Sequence, residues 1–282
     1  FCSWPRMQET VYLDLLQCMK IKGPLPVSIR HLSLEEWFTY YQLRQIEKRH
    51  FHLSSSVEAD VSRIQAAYDP ADFPLTFILI KALALTLKHE PGVNRQLVYT
   101  FWGAPRMRQA ETCSVNVPIV LNYEGQDYLS LTIVRDADQK SVAQIKAEVK
   151  AVYRKQPREL PVGKYVVGKK NTLFNRSRLK AIHWIVNHFP HLHDKYNAGT
   201  ASMSSLLSLE HAGTAVCVVG RGPGAFSITA SHFDAATGRL KLGLAWDHYT
   251  GPGRVGIGAA MTLCRILQGE IEPHALVPGV PS

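Results

Sequence analysis

Nowhere in this chain of 282 residues is there an uninterrupted apolar run of about 18 to 20 residues, the length a membrane-crossing helix needs. The longest candidate, PLTFILIKALALTLKHEPG, is broken by Lys81 and closes on Lys88, His89, Glu90 and Pro91. It reads as a buried core helix, and no membrane partner is expected. Cysteine is sparse: Cys2, Cys18, Cys113, Cys217 and Cys264 are scattered, odd in number and form no CxxC pair. That argues against a disulfide scaffold and a thiolate zinc site, and for a reducing, cytoplasmic setting. Cys217, in TAVCVV, and Cys264 read as small apolar core residues. There is no internal repeat, no low-complexity tract and no clear interdomain linker. The chain starts at Phe1 rather than Met, and no signal-peptide pattern opens it.

Acidic residues are outnumbered. Lys and Arg total 32 against 23 Asp and Glu, a formal charge of +9. The cations are dispersed, however, with no long basic run and no nucleic-acid-binding motif, so nucleic acid is not the expected partner. An anionic cofactor or an acidic carrier protein suits the same charge. Also missing is GxSxG, which disfavours a hydrolase built on a nucleophile elbow. VVGRGPG is a poor phosphate loop: Pro223 removes a backbone donor, and no helix pattern or Lys-Ser/Thr follows. It reads as a hairpin turn. The histidine-rich HWIVNHFPHLHD lacks HExxH, and His183 and His188, five apart, do not share a helix face. His191, His193 and Asp194 follow Pro190 into a loop, so no metal is expected.

What is present is an ordinary globular pattern, with 46% hydrophobic and 20% charged residues. A short helix is expected over 12–19. Ser33 with Glu36 forms a capping box ahead of an amphipathic helix marked by Leu34, Trp37, Phe38, Tyr41 and Ile46. FHLSSSVEADVSRI alternates as a strand, residues 75–89 form the buried helix, and LVYTFW is a second strand. Val115 to Leu121 and Leu129 to Ile133 alternate about the turn NYEGQD, as a β-hairpin does. Ser141 with Gln144 opens another helix, KQPRELPVGKYVVGKKN reads as a loop, and Leu179, Ile182, Val186 and Phe189 mark a helix ended by Pro190. GTASMSSL, TAVCVVG, AFSITAS and LKLGLAW read as strands. Ile257, Ala260, Met261, Cys264 and Leu267 recur as a final helix capped by Gly269. Interleaved helices and strands with hairpins predict one α/β domain with a mixed sheet.

Two stretches carry chemistry. In LKLGLAWDHYTGPG, Asp247 and His248 come where a half-buried strand runs out. An imidazole titrates near neutral pH and can take and return a proton; a structural His at a strand end explains the pattern as well. In GTASMSSL, Ser202, Ser204 and Ser205 supply hydroxyls that can donate to an oxyanion or, beside a base, act as nucleophiles. A polar strand edge explains them too.

Taken in order, five blocks resemble the catalytic domain of the 2-oxo acid dehydrogenase acyltransferases, whose fold chloramphenicol acetyltransferase shares. They are RHFHLSSSVEADVSRI, LTFILIKALALTLKHEPGVN, VNVPIVLNYEGQDYLSLTIVRDADQKSVAQIKAEV, GTASMSSL and AWDHYTGPG. The resemblance runs from about residue 30 to 269 and implies an N-terminal extension over 1–29 followed by an acyltransferase domain over 30–282. It implies a two-layer mixed sheet with helices, and acyl transfer from a thioester to a hydroxyl, amine or thiol. His248 matches the family's general base and Ser204 its oxyanion-stabilising hydroxyl; Ser202, Ser205 and Asp247 are expected to line the substrate. The thioester would be acyl-CoA or a phosphopantetheine-borne acyl carrier, with no metal. The family is trimeric, and Ser204 of one subunit would meet His248 of the next. One departure stands out. The family has Asp or Asn four residues after the His, partnered by an Arg, whereas this chain has Pro252, with Arg30 the nearest candidate partner. With no lipoyl domain ahead of it, the chain reads as a standalone acyltransferase of specialised metabolism. An inactive trimeric scaffold is the alternative.

Overall fold

A computed structural model of the chain describes residues 32–49, 52–99, 105–123, 126–160, 163–189, 199–207 and 225–277. The expected helix over 12–19, Arg30, TAVCVVG, VVGRGPG, His191, His193 and Asp194 lie outside the described residues. Eight strands are described: β1 (His52–Asp60), β2 (Arg95–Tyr99), β3 (Pro105–Gln109), β4 (Val115–Tyr123), β5 (Gln126–Val134), β6 (Ala201–Ser205), β7 (Phe226–Asp234) and β8 (Arg239–Asp247). The longer helices are α1 (Leu34–Arg49), α2 (Leu75–His89), α3 (Val142–Tyr153), α4 (Leu173–His188) and α5 (Gly253–Leu267).

Six strands form one mixed sheet in the order β1-β8-β7-β6-β4-β5. β6 runs parallel to both neighbours, and the other pairs are antiparallel. Alternation sets the faces. Ala59, Val115, Val117, Val134, Met203, Phe226, Ile228, Leu242 and Leu244 point to one side, where α2, α3 and α5 complete a continuous core. α2 is apolar around its whole circumference, because it lies between the sheet and other helices and has no solvent face over most of its length. α1 and α4 build a second, smaller cluster from Leu34, Phe38, Leu179, Val166 and Val167.

Local chemistry starts the helices where the sequence indicates. Ser33 and Glu36 exchange side-chain and backbone hydrogen bonds (2.8 and 3.2 Å), and Ser141 and Gln144 form the same box at α3. Elsewhere the structure corrects the sequence reading. β1 stops at Asp60, whose carboxylate accepts from the Ser62 amide at 3.0 Å, and Ser62–Gln65 turn into one helical turn instead of continuing the strand. The expected loop over 155–171 contains two helical turns, Pro157–Glu159 and Gly163–Val166. β3, PRMRQ, has no apolar alternation. It is a strand because β2 supplies its hydrogen bonds, with Arg95 Nε donating to Gln109 Oε1 across the ribbon.

Lys81 is the one cation inside the core face of α2, and only 5% of it is exposed. Its ammonium donates to the Asp138 carbonyl at 2.5 Å, beside an Asp138 Oδ1 that is buried with no hydrogen-bond partner. Desolvation holds the Lys81 pKa below the usual lysine range, with the Asp138 charge opposing. A lowered folded-state pKa means that the unfolded chain binds the proton more readily. This lysine therefore makes stability rise with pH between its folded value and the ordinary lysine value. Lys81→Met should flatten that alkaline rise, read as the difference between the two proteins in urea unfolding at stepped alkaline pH.

Candidate active site

The turn after β8 is built by its neighbours. Trp246 points to the helix side and Asp247, next in the alternation, to the other. The Asp247 amide donates to the Ala225 carbonyl at 2.8 Å. The Asp247 carbonyl accepts from the Thr250 amide (3.0 Å) and hydroxyl (2.7 Å), and its Oδ1 accepts from the Tyr249 amide (3.0 Å). Asp247, only 1% exposed, thus shapes a four-residue turn through its carbonyl and its carboxylate. His248 and Tyr249 are left exposed at its corner. Asp247, expected to line substrate, also holds through its carboxylate the Tyr249 amide next to the imidazole.

The start of α5 is equally constrained. Gly256 lies against the Trp246 indole so closely that a Cβ would fall 2.4 Å from its Cδ2. Pro252 is the N-cap, with φ −62°, and provides no side-chain hydrogen bond to the helix. The position four residues beyond His248 therefore carries a ring with neither donor nor acceptor.

The serines of β6 separate. Ser202 and Ser204 share the sheet face away from the helices, while Ser205 lies on the opposite face with Ala201 and Met203, its hydroxyl accepting from the Leu207 amide at 3.5 Å. Ser205 is not brought together with the other two. Register extends the hydroxyl face across the sheet. Ser202 pairs with Ser227 and Ser204 with Thr229, followed in β8 by Ala245 and Gly243. Beyond Ser202 lies Asn116, whose amide donates to the Gly199 carbonyl at 2.9 Å. The Ser202 and Ser227 hydroxyls are buried with no hydrogen-bond partner in the structure. Ser227 and Thr229 were missed in the sequence, although the alternation of AFSITAS, with Phe226, Ile228 and Ala230 on one side, places them together.

His248 and Ser204 do not meet within one chain. Ser204 lies in the cross-sheet row of Gly243, four residues before Asp247 and two strands away. At strand dimensions that is about 13 Å along the strands and about 10 Å across them. One proton-transfer geometry needs about 3 Å. Among the described residues, no three His, Cys, Asp or Glu come together as metal ligands.

No family model and no curated protein matches the sequence. Solved structures do. The cubic core of a pyruvate dehydrogenase multienzyme complex is 17% identical, with a TM-score of 0.58, over 90% of this chain and 98% of that one. The dihydrolipoamide acetyltransferase of Azotobacter vinelandii is also 17% identical, with a TM-score of 0.56 and the same coverage. A serine, a histidine and an asparagine have been investigated in its catalytic mechanism, and that asparagine lies four residues after the histidine. A truncated catalytic core of a 2-oxoacid dehydrogenase complex from Thermoplasma acidophilum is 15% identical, with a TM-score of 0.57, over 86% of this chain and 98% of that one. Over most of its length, this chain has the fold of the 2-oxoacid dehydrogenase acyltransferase cores.

Proposed function

We propose that the protein transfers an acyl group from a thioester, acyl-CoA or a phosphopantetheine-borne acyl chain, to a hydroxyl, amine or thiol. The observation that carries this reading is the exposed His248 on a turn locked by Asp247 and Thr250, in an acyltransferase-core fold. His248 takes the proton of the acceptor as its heteroatom attacks the thioester carbonyl. The Ser204 hydroxyl donates to the oxyanion that forms. The carbon–sulfur bond then breaks, and the departing thiolate takes the proton back from the imidazolium. No covalent acyl-enzyme is needed, and His248 stands too far from Ser204 within one chain to activate it as a nucleophile. The separation of Ser204 from His248 supports a working site shared between copies, as a homotrimer would supply. The net charge of +9 favours an anionic donor.

Mixing subunits tests this arrangement. Ser204→Ala and His248→Ala proteins should each be nearly inactive alone. Random co-assembly from equal amounts should restore about a quarter of wild-type activity, since a shared site is intact when each partner supplies its remaining residue. No restoration would sink the shared site.

Pro252 favours a second reading, an inactive scaffold of the same fold. Pro252→Asn separates the two. An asparagine N-cap contributes about 1 kcal/mol, and losing the proline costs about 0.4 to 1 kcal/mol through the unfolded chain, so stability should barely move. If the imidazole turn is catalytic, kcat should rise. A variant and a wild type both silent across acyl-CoA and acyl-carrier donors would favour the scaffold.

A further inference from the structure

α4 has an outward face that a soluble helix does not ordinarily carry. At about 100° per residue, Leu173, Trp184, Ser177, His188, Ala181, Phe174 and Ile185 fall in succession within about 120° of its circumference, with the His188 ring stacked on Trp184. Leu173 is 81% and Phe174 74% exposed, and Trp184 and Ile185 are each about two-fifths exposed. The opposite side of the same helix already buries Leu179 against α1. The helix is therefore apolar on two sides, where water would call for charge on one.

Its surroundings are of one sign. From 163 to 189 the sequence holds Lys164, Lys169, Lys170, Arg176, Arg178 and Lys180 and no Asp or Glu. Three of these cations flank the stripe and are held in place by aromatic rings. Arg176 lies 5.5 Å from the Trp37 ring centre and Lys180 5.7 Å from it, and Arg178 lies 5.8 Å from that of Tyr165. Positioned charges of this kind suit a structured acidic surface better than a fluid one. The stripe also has a shape: Ser177 and Ala181, one turn apart, are small, and bulky residues stand at both ends. That profile is a notch into which another helix can settle close to the backbone. A second copy meeting the same face would set three flanking cations against three, so self-association does not fit.

We propose that this face docks a helix of an acidic protein partner, an apolar ridge seated over Ser177 and Ala181 with Asp and Glu on either side. Resting on the acyl-transfer reading, the partner is a carrier domain that brings the thioester, and the donor is protein-borne rather than free CoA.

The test uses the whole chain and a panel of purified, negatively charged phosphopantetheine carrier domains, beside Ala181→Glu and Phe174→Glu. Both side chains are exposed, so both variants should fold. Calorimetry should show a carrier binding wild type, weakening with salt, and losing about 10-fold or more in affinity in each variant. The kcat/KM for the carrier-borne thioester should fall in step, and that for free acyl-CoA should stay within about 2-fold. The binding arm stands apart from turnover, so a protein that docks a carrier but transfers nothing would refute the chemistry and keep the docking face. The docking proposal is overturned if no carrier binds, or if binding ignores both substitutions. It is equally overturned if anionic phosphatidylserine vesicles, or a second copy of the chain, are what the variants lose.

Discussion

Replacing His248 with alanine should lower single-turnover thiol release by about 10² to 10⁴-fold, the usual contribution of a positioned general base. The effect should fall on kcat and kcat/KM alike, because the imidazole acts as the proton leaves the acceptor and not in holding the donor. The side chain is exposed and packs into no core, so the thermal unfolding midpoint should stay within about 2 °C of wild type. Loss of Ser204 should cost about 10² to 10³-fold, because one oxyanion donor is worth less than the base. The order of the two losses is itself informative. If His248→Ala released thiol at the wild-type rate, with acceptor present, the imidazole would have no part in the reaction.

Gly256→Val should destabilise the fold and, with it, the His248 turn. A Cβ at this position would lie 2.4 to 2.6 Å from three atoms of the Trp246 indole. Neither partner can retreat easily. The indole belongs to a buried strand bonded on both edges, and α5 is packed against the core through Ala259, Leu263, Ile266 and Leu267. Inserting atoms into such a site costs about 1 to 3 kcal/mol, and valine's branch should take it to the upper end. A urea titration reads that loss directly. Trp246 immediately precedes Asp247 and His248, so the folded fraction should also lose kcat, as a proton acceptor displaced by about 1 Å loses about 10²-fold. Trp246→Leu should relieve part of the strain. In a double-mutant cycle the pair should be less destabilised than the sum of the two single changes. Strict additivity would show that the close approach is not what makes Gly256 necessary.

Some of this was decided by the chain alone. A 15-residue segment whose one lysine before the last turn is Lys81 reads as a buried helix, and α2 spans the residues its hydrophobic pattern indicates. The capping boxes at Ser33 and Ser141 are local hydrogen-bond exchanges needing nothing beyond three neighbours. Period-two alternation placed β1, β4, β5, β7 and β8, and the junction of strand, Asp-His and Gly-rich turn stood out as a candidate site. The resemblance to the acyltransferase cores was visible in five ordered blocks, and the architecture agrees with it.

Tertiary structure decided the rest, because the rest depends on partners distant in sequence. PRMRQ has no strand signal of its own and is a strand only because Arg95–Tyr99 lies beside it. Strand alternation sends Ser205 to the opposite face from Ser202 and Ser204, and cross-strand register, which no single segment encodes, joins Ser227 and Thr229 to those two. Asp247 was legible as an ionisable residue beside a histidine; only its hydrogen bonds to the Tyr249 amide and from the Asp247 amide to Ala225 show that it shapes the turn. The sheet order alone fixes how far Ser204 lies from His248. That distance is a sum of register and strand spacing, which no single segment of the sequence encodes.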